Sequence, residues 1–146
     1  MFVFDVYGTL LDIDAAARQA ATEPGMESLQ KNWLKISKGW RDRQLRYSWL
    51  GSMMGKYDDF WKLTIRALDA TLEEHALSSD QKIRARLLSL YSELIAYEEV
   101  PRALARLEAS DKDLRCFQMA LLKCLRLPLK LLASRTILTN CLVLTS

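Results

Sequence analysis

Three features point to an α/β chain that is mostly helical, with one core strand and an incomplete core. A single β-branched and aromatic run opens the chain. Helical periodicity fills nearly everything from residue 14 to residue 109. After residue 113 the composition changes abruptly.

The opening run, Phe2-Val3-Phe4-Asp5-Val6, is continuous rather than alternating, as in a strand buried on both faces of a parallel sheet. Tyr7-Gly8-Thr9 ends it as a turn. Asp14 is a candidate N-cap for a helix to about Ala21, which Thr22-Glu23-Pro24-Gly25 breaks. Over 26–54 apolar residues recur at helical spacing, with Gly39 as the expected interruption. Leu34, Trp40, Leu45 and Trp49 share or adjoin one buried stripe there. Further helices are expected over 57–71, over 79–96 behind the capping run Ser78-Ser79-Asp80, and over 101–109 with Pro101 in the first turn. A lone strand cannot satisfy its own backbone groups. Residues 13–110 supply no second strand and none is expected after Asp111, so by its own logic the chain looks unfinished.

The 146 residues are 50% hydrophobic and 27% charged, which excludes a disordered polymer and permits a buried core. A net charge of +3 gives no argument for nucleic acid. That total conceals a break. Residues 1–113 carry 16 Lys/Arg and 18 Asp/Glu, whereas 114–146 carry five basic residues, no acidic ones and eleven Leu. Cys116, Cys124 and Cys141 all fall in this tail, at spacings that match no metal or disulfide framework. The tail permits a helix, with Phe117, Leu121, Leu125, Leu129 and Leu132 three or four apart and Pro128 interrupting. The N-terminus lacks a basic secretory n-region, and no uncharged apolar window reaches about 18 residues. A reducing, cytoplasmic setting with no membrane partner is therefore expected. His75 stands apart from every motif and reads as a surface residue.

The chemistry concentrates at Asp5-Val6-Tyr7-Gly8-Thr9-Leu10. The carboxyl end of a buried strand is where open α/β sheets place ligands. A carboxylate desolvated there needs donors, which Thr9 and the turn amides are suited to supply. Such a carboxylate can act as a nucleophile and form an ester intermediate. Taken alone, Asp5 suits equally a residue that caps the strand-end loop.

Phe-Asp-x-Tyr-Gly-Thr-Leu resembles the first motif of the haloacid dehalogenase (HAD-like) hydrolase superfamily, in particular its (S)-2-haloacid dehalogenases. The superfamily's phosphatases carry a second Asp where this chain has Tyr7. Halide leaves without a general acid, so Tyr7 favours dehalogenation. The run from Trp40 through Arg41, Leu45 and Trp49 to Leu50, followed by Met54-Gly55-Lys56-Tyr57 and Phe60-Trp61, resembles the dehalogenases' helical cap.

The resemblance covers about residues 1–110 and implies a Rossmann-type core with an inserted cap. It implies Asp5 as nucleophile steadied by Thr9, and Arg41 as receiver of the departing halide. Val6 would offer its amide to the substrate carboxylate beside Tyr7, with Leu45 and Phe60 lining the pocket for the alkyl group. It also implies no organic cofactor, no metal, and a homodimer in the full-length parent. The domains would be 1–12 (first core strand and nucleophile loop), 13–98 (cap), 99–113 (helix returning to the core) and 114–146 (tail). Departures are visible: Asp42-Arg43 replaces a usual Gln-Lys, Arg46 replaces a common Glu, and Asp42 stands ready to compete for Arg41. The family's Ser-Asn-Gly, later Lys and final Ser/Asn/Asp cluster have no counterpart in 114–146. An Asp5-dependent, Mg²⁺-requiring phosphatase and a non-enzymatic helical module are the alternative readings.

The genetic code offers a reason for the missing motifs. Joining the last base of each tail codon to the first two of the next, Cys116-Phe117 encodes only Leu or Phe. Phe117-Gln118 then gives Ser or Pro, Gln118-Met119 gives Asn or Asp, and Met119-Ala120 forces Gly. Leu-Ser-Asn-Gly is thus an allowed decoding where the family's second motif belongs. A reading frame displaced near residues 111–114 is expected, leaving the chain as written truncated and inactive. A genuine Leu-rich tail that binds a partner helix or a membrane surface is the other reading.

Overall fold

The computed structural model describes residues 2–56, 58–110, 114–118 and 141–143. In chain order the elements are β1 (Phe2–Asp5), α1 (Ala15–Ala20), α2 (Glu27–Gln30), α3 (Trp33–Met53), α4 (Phe60–Glu74), α5 (Gln81–Tyr91), α6 (Val100–Glu108), β2 (Leu114–Gln118) and β3 (Cys141–Val143). They divide into two compact units, one of residues 13–92 and one of 1–12 with 93–146.

The unit of 13–92 is all helix. α3 packs against α4, α1 against α3 and α5, and α4 against α5. Its core is Ile36, Trp40, Leu63, Leu68, Leu72, Ile83 and Leu87, with the alanines of α1 lying flat against their neighbours. The 26–54 segment breaks at Lys31-Asn32, and α3 then runs unbroken through Gly39, where an interruption was expected. A Cβ at Gly39 would stand 3.3 Å from Cγ2 of Thr71 and 3.2 Å from Nη1 of Arg43, so the glycine serves close packing on α4. The expected stripe is also corrected. Ile36, Trp40, Gln44 and Ser48 face inward at four-residue spacing, Leu45 is half-buried, and Leu34 and Trp49 (61% exposed) face outward. A shift of one residue on a helix turns a side chain by about 100°, and the polar Gln44 and Ser48 hid the true face.

Side-chain caps fix the starts of α4 and α5. Asp59 accepts from the Trp61 amide at 2.9 Å, and Asp80 from those of Lys82 and Ile83 at 3.1 and 3.0 Å. Asp14 instead accepts from the Ser37 hydroxyl, tying the start of α1 to α3. Ion pairs lace the helices: Arg43 with Glu74, Arg84 with Asp69, and Arg86 with Glu23.

The other unit holds a parallel sheet in the order β1-β2-β3, Asp5 standing in register with Phe117. This corrects the expectation of a single strand and of none after Asp111. The backbone groups of β1 require a partner, and Leu-Arg-Cys-Phe-Gln provides one in parallel. The 3–4 spacing that began at Phe117 was no guide, because short apolar runs fit either period. The remaining tail positions of that expected helix lie outside the described residues. α6, with Val100 and Leu104 buried, precedes β2 as the crossover that parallel pairing demands.

β1 is not buried on both faces. Val3 is 50% and Phe2 43% exposed, with Phe2 stacked on Phe4 at 6.4 Å. A parallel strand is enclosed only where helices cover both faces, and α6 is the only helix of this unit among the described residues. The helix expected over 79–96 ends at Tyr91. Residues 95–97 turn back onto the loop that follows β1, with Asp12 N–H donating to Ile95 C=O (2.9 Å) and Tyr97 N–H to Leu10 C=O (3.2 Å). The helical unit accordingly ends at Ser92, short of residue 98.

Candidate active site

Asp5 is the last residue of β1 and is exposed, not desolvated as expected. The loop after it is self-contained. The Val6 carbonyl accepts from the amides of Thr9 (3.4 Å), Leu10 (3.0 Å) and Leu11 (2.9 Å), and Gly8 N–H donates to Leu11 C=O at 2.9 Å. Gly8 takes φ +85°, open to glycine at no steric cost. Val6, Tyr7, Leu10 and Leu11 bury their side chains and anchor the turn, while Thr9 faces solvent. The amides of residues 8–11 are therefore spent inside the loop. Among the described residues no hydrogen bond joins Thr9 to Asp5.

Arg41, Leu45 and Phe60 lie in the helical unit. Arg41 is half-buried on α3, one turn before Gln44, and its Nη1 donates to Gln44 Oε1 at 2.7 Å. Phe60, the first residue of α4, is buried, and Leu45 half-buried. Asp42 is exposed, and the Arg41 bond to Gln44 runs to the other side of α3.

Around Arg41 the structure assembles residues the sequence did not single out. Gln44 is 1% exposed; its Nε2 donates to Thr64 Oγ1 at 2.6 Å and reaches the Tyr91 hydroxyl at 3.0 Å. Thr64 donates to the Phe60 carbonyl at 2.8 Å. Trp40 Nε1 donates to the Thr64 carbonyl at 2.8 Å, and its ring lies 4.7 Å from that of Tyr91. Burial pushes the Tyr91 phenol above its usual pKa, a shift that the neighbouring Arg41 charge and the bonds to Gln44 and Arg41 partly oppose. The phenol thus stays protonated at neutral pH. A polar residue at position 44 of an otherwise apolar inward stripe was the available signal for this cluster.

A groove of about 320 Å³ lies at the C-terminal end of α3, lined by Tyr47, Ser48, Leu63 and Arg66 among others. None of Asp5, Val6, Tyr7, Thr9, Arg41, Leu45 or Phe60 lines it. Among the described residues no group of three His, Cys, Asp or Glu side chains forms a metal-binding cluster. No helix there is long and apolar enough to cross a membrane.

No family model matches the chain. Individual proteins do. (S)-2-haloacid dehalogenase 1 of Pseudomonas sp. (strain CBS-3) is 43% identical over 108 residues, which is 74% of this chain and 45% of that protein. The crystal structure of a dehalogenase superposes with a TM-score of 0.82 at 34% identity, covering 97% of this chain and 60% of that one. The L-2-haloacid dehalogenase of Xanthobacter autotrophicus with chloropropionic acid covalently bound gives a TM-score of 0.72 at 29% identity, over 97% of this chain and 55% of that one. The chain thus spans about half the length of the curated relatives it matches. With an Asp at the end of the first strand of a parallel sheet and a helical unit after it, the chain is similar in sequence and fold to (S)-2-haloacid dehalogenases, of whose length it spans only a part.

Proposed function

We propose that the protein from which this chain derives hydrolyses short (S)-2-haloalkanoic acids to 2-hydroxy acids. A carboxylate oxygen of Asp5 attacks Cα from behind the carbon–halogen bond. As the oxygen–carbon bond forms, halide departs with the bonding electron pair, received by the guanidinium of Arg41. Water then attacks the ester carbonyl and releases a 2-hydroxy acid of inverted configuration, regenerating Asp5. Val6 offers its amide to the substrate carboxylate, Thr9 steadies Asp5, and Tyr7, Leu45 and Phe60 shape the pocket. The reaction needs no organic cofactor. The supporting observation is a relative with chloropropionic acid covalently bound, in a chain whose fold this one follows. The parent is cytoplasmic and pairs as a homodimer, for which exposed Trp49, Met53 and Met54 supply apolar surface.

We infer further that 114–146 is read in a displaced frame, behind a core-and-cap arrangement of 1–12, 13–98 and 99–113. Likeness in sequence covers 74% of the chain, whereas likeness in fold covers 97%. The register pairs position 117 with Asp5. The restored Ser, which straddles codons 117 and 118, falls at that point of β2. As written, the chain lacks most of the cooperating groups, and loss of even one such group costs orders of magnitude in rate. Sequencing the transcript across codons 100–146 tests this. A one-base difference that restores Leu-Ser-Asn-Gly is expected, and a transcript that reads as written refutes the displacement.

A further inference from the structure

We propose that Thr64 and Gln44 are positioning residues that fix the guanidinium of Arg41 through a one-way relay of hydrogen bonds. The proposal rests on the reading of Arg41 as halide receiver.

The direction of the relay follows from donor counting. The Thr64 hydroxyl has one proton, and it goes to the Phe60 carbonyl 2.8 Å away. Toward Gln44, therefore, Thr64 Oγ1 can only accept. The side-chain amide of Gln44 has to present Nε2 to Thr64, and does so at 2.6 Å. That choice leaves Oε1 as the atom facing Arg41, which donates to it from Nη1 at 2.7 Å. Were the amide reversed, two donors would meet at Arg41 and two acceptors at Thr64. Both residues are fully buried, so water is not available to repair such a mismatch.

Tyr91 does not choose the direction. Its hydroxyl lies 3.0 Å from Gln44 Nε2 and 3.1 Å from Oε1, and it donates or accepts as required. Thr64 sits on α4 and Gln44 with Arg41 on α3, so packing of the two helices sets where the charge stands. With Gln44 and the Tyr91 hydroxyl both bonded to it, the guanidinium is held in one orientation and need not reorganise to meet a halide, which is how preorganised donors gain strength.

Bromide titration of the full chain, read by tryptophan fluorescence, tests the relay. Trp40 adjoins Arg41 in sequence and its ring lies 4.7 Å from that of Tyr91, so bromide held at Arg41 quenches it saturably. Arg41→Leu is expected to abolish the saturable component. Thr64→Val, of similar shape, should raise the half-saturating bromide concentration about tenfold, with Thr64→Ser restoring it. Gln44→Met breaks the relay at its second member and should match Thr64→Val.

Unchanged half-saturation in both Thr64→Val and Gln44→Met overturns the relay with the reading of Arg41 intact. A loss in Thr64→Val that Thr64→Ser does not restore overturns it too, in favour of general packing. Quenching that survives Arg41→Leu, or that is absent from the unaltered chain, contradicts the reading of Arg41 itself and the relay with it.

Discussion

A buried glutamine is tolerable only when its polar atoms are matched, and those of Gln44 meet Arg41, Thr64 and Tyr91. Gln44→Leu fills similar space but strands these partners. We expect it to destabilise the helical unit by about 1–3 kcal/mol, read as a lower urea midpoint at unchanged slope. Tyr91 makes a second prediction. Its folded pKa is raised above the ordinary value of 10.0, so the unfolded chain gives up this proton first as pH rises. The contribution of the phenol is complete below about pH 10 and is lost as pH climbs from there through the folded pKa. Alkaline melting curves of the native chain and Tyr91→Phe should therefore run parallel to about pH 10 and converge above it; parallel curves throughout would refute the assignment. Asp5 and Arg41 were identifiable in the sequence as candidates because each sits in a patterned string of unusual residues. Thr64 and Tyr91 were not, because nothing in the spacing of a Thr and a Tyr says that they meet across three helices.

Helices were the most legible elements, since their caps and apolar periods agree. Asp80→Ala removes acceptors from two amides at the start of α5 and should cost about 1 kcal/mol. Gly39→Val places atoms against Thr71, itself fully buried, and should cost about 1–3 kcal/mol by overpacking. Thermal melts of both variants check these values, and a Gly39→Val protein as stable as the parent would show that α3 and α4 are not held close at that point. Gly39 misled because a glycine inside a helical pattern signals equally a break or a close approach. The end of α5 misled because residues 92–96 keep a helical composition while their backbone returns to the loop at 10–12. β2 was hidden because its five residues have no period of their own and become a strand only through β1.

At the scale of the molecule, the described residues form a first strand ending in Asp5, a helical unit and the partners of that strand in a parallel sheet, in a chain about half as long as the relatives it matches. The family was legible in two short strings, whereas the sheet depended on a tail whose sequence departs from its relatives. Chloride release from (S)-2-chloropropionate, by a chain in which one base restores the frame after residue 113, tests the central claim most directly. We predict turnover that yields inverted 2-hydroxypropionate and disappears in Asp5→Asn, while residues 1–146 as written release chloride no faster than that variant. A frame-restored protein that folds yet releases no chloride, or one whose release is indifferent to Asp5→Asn, would contradict the account.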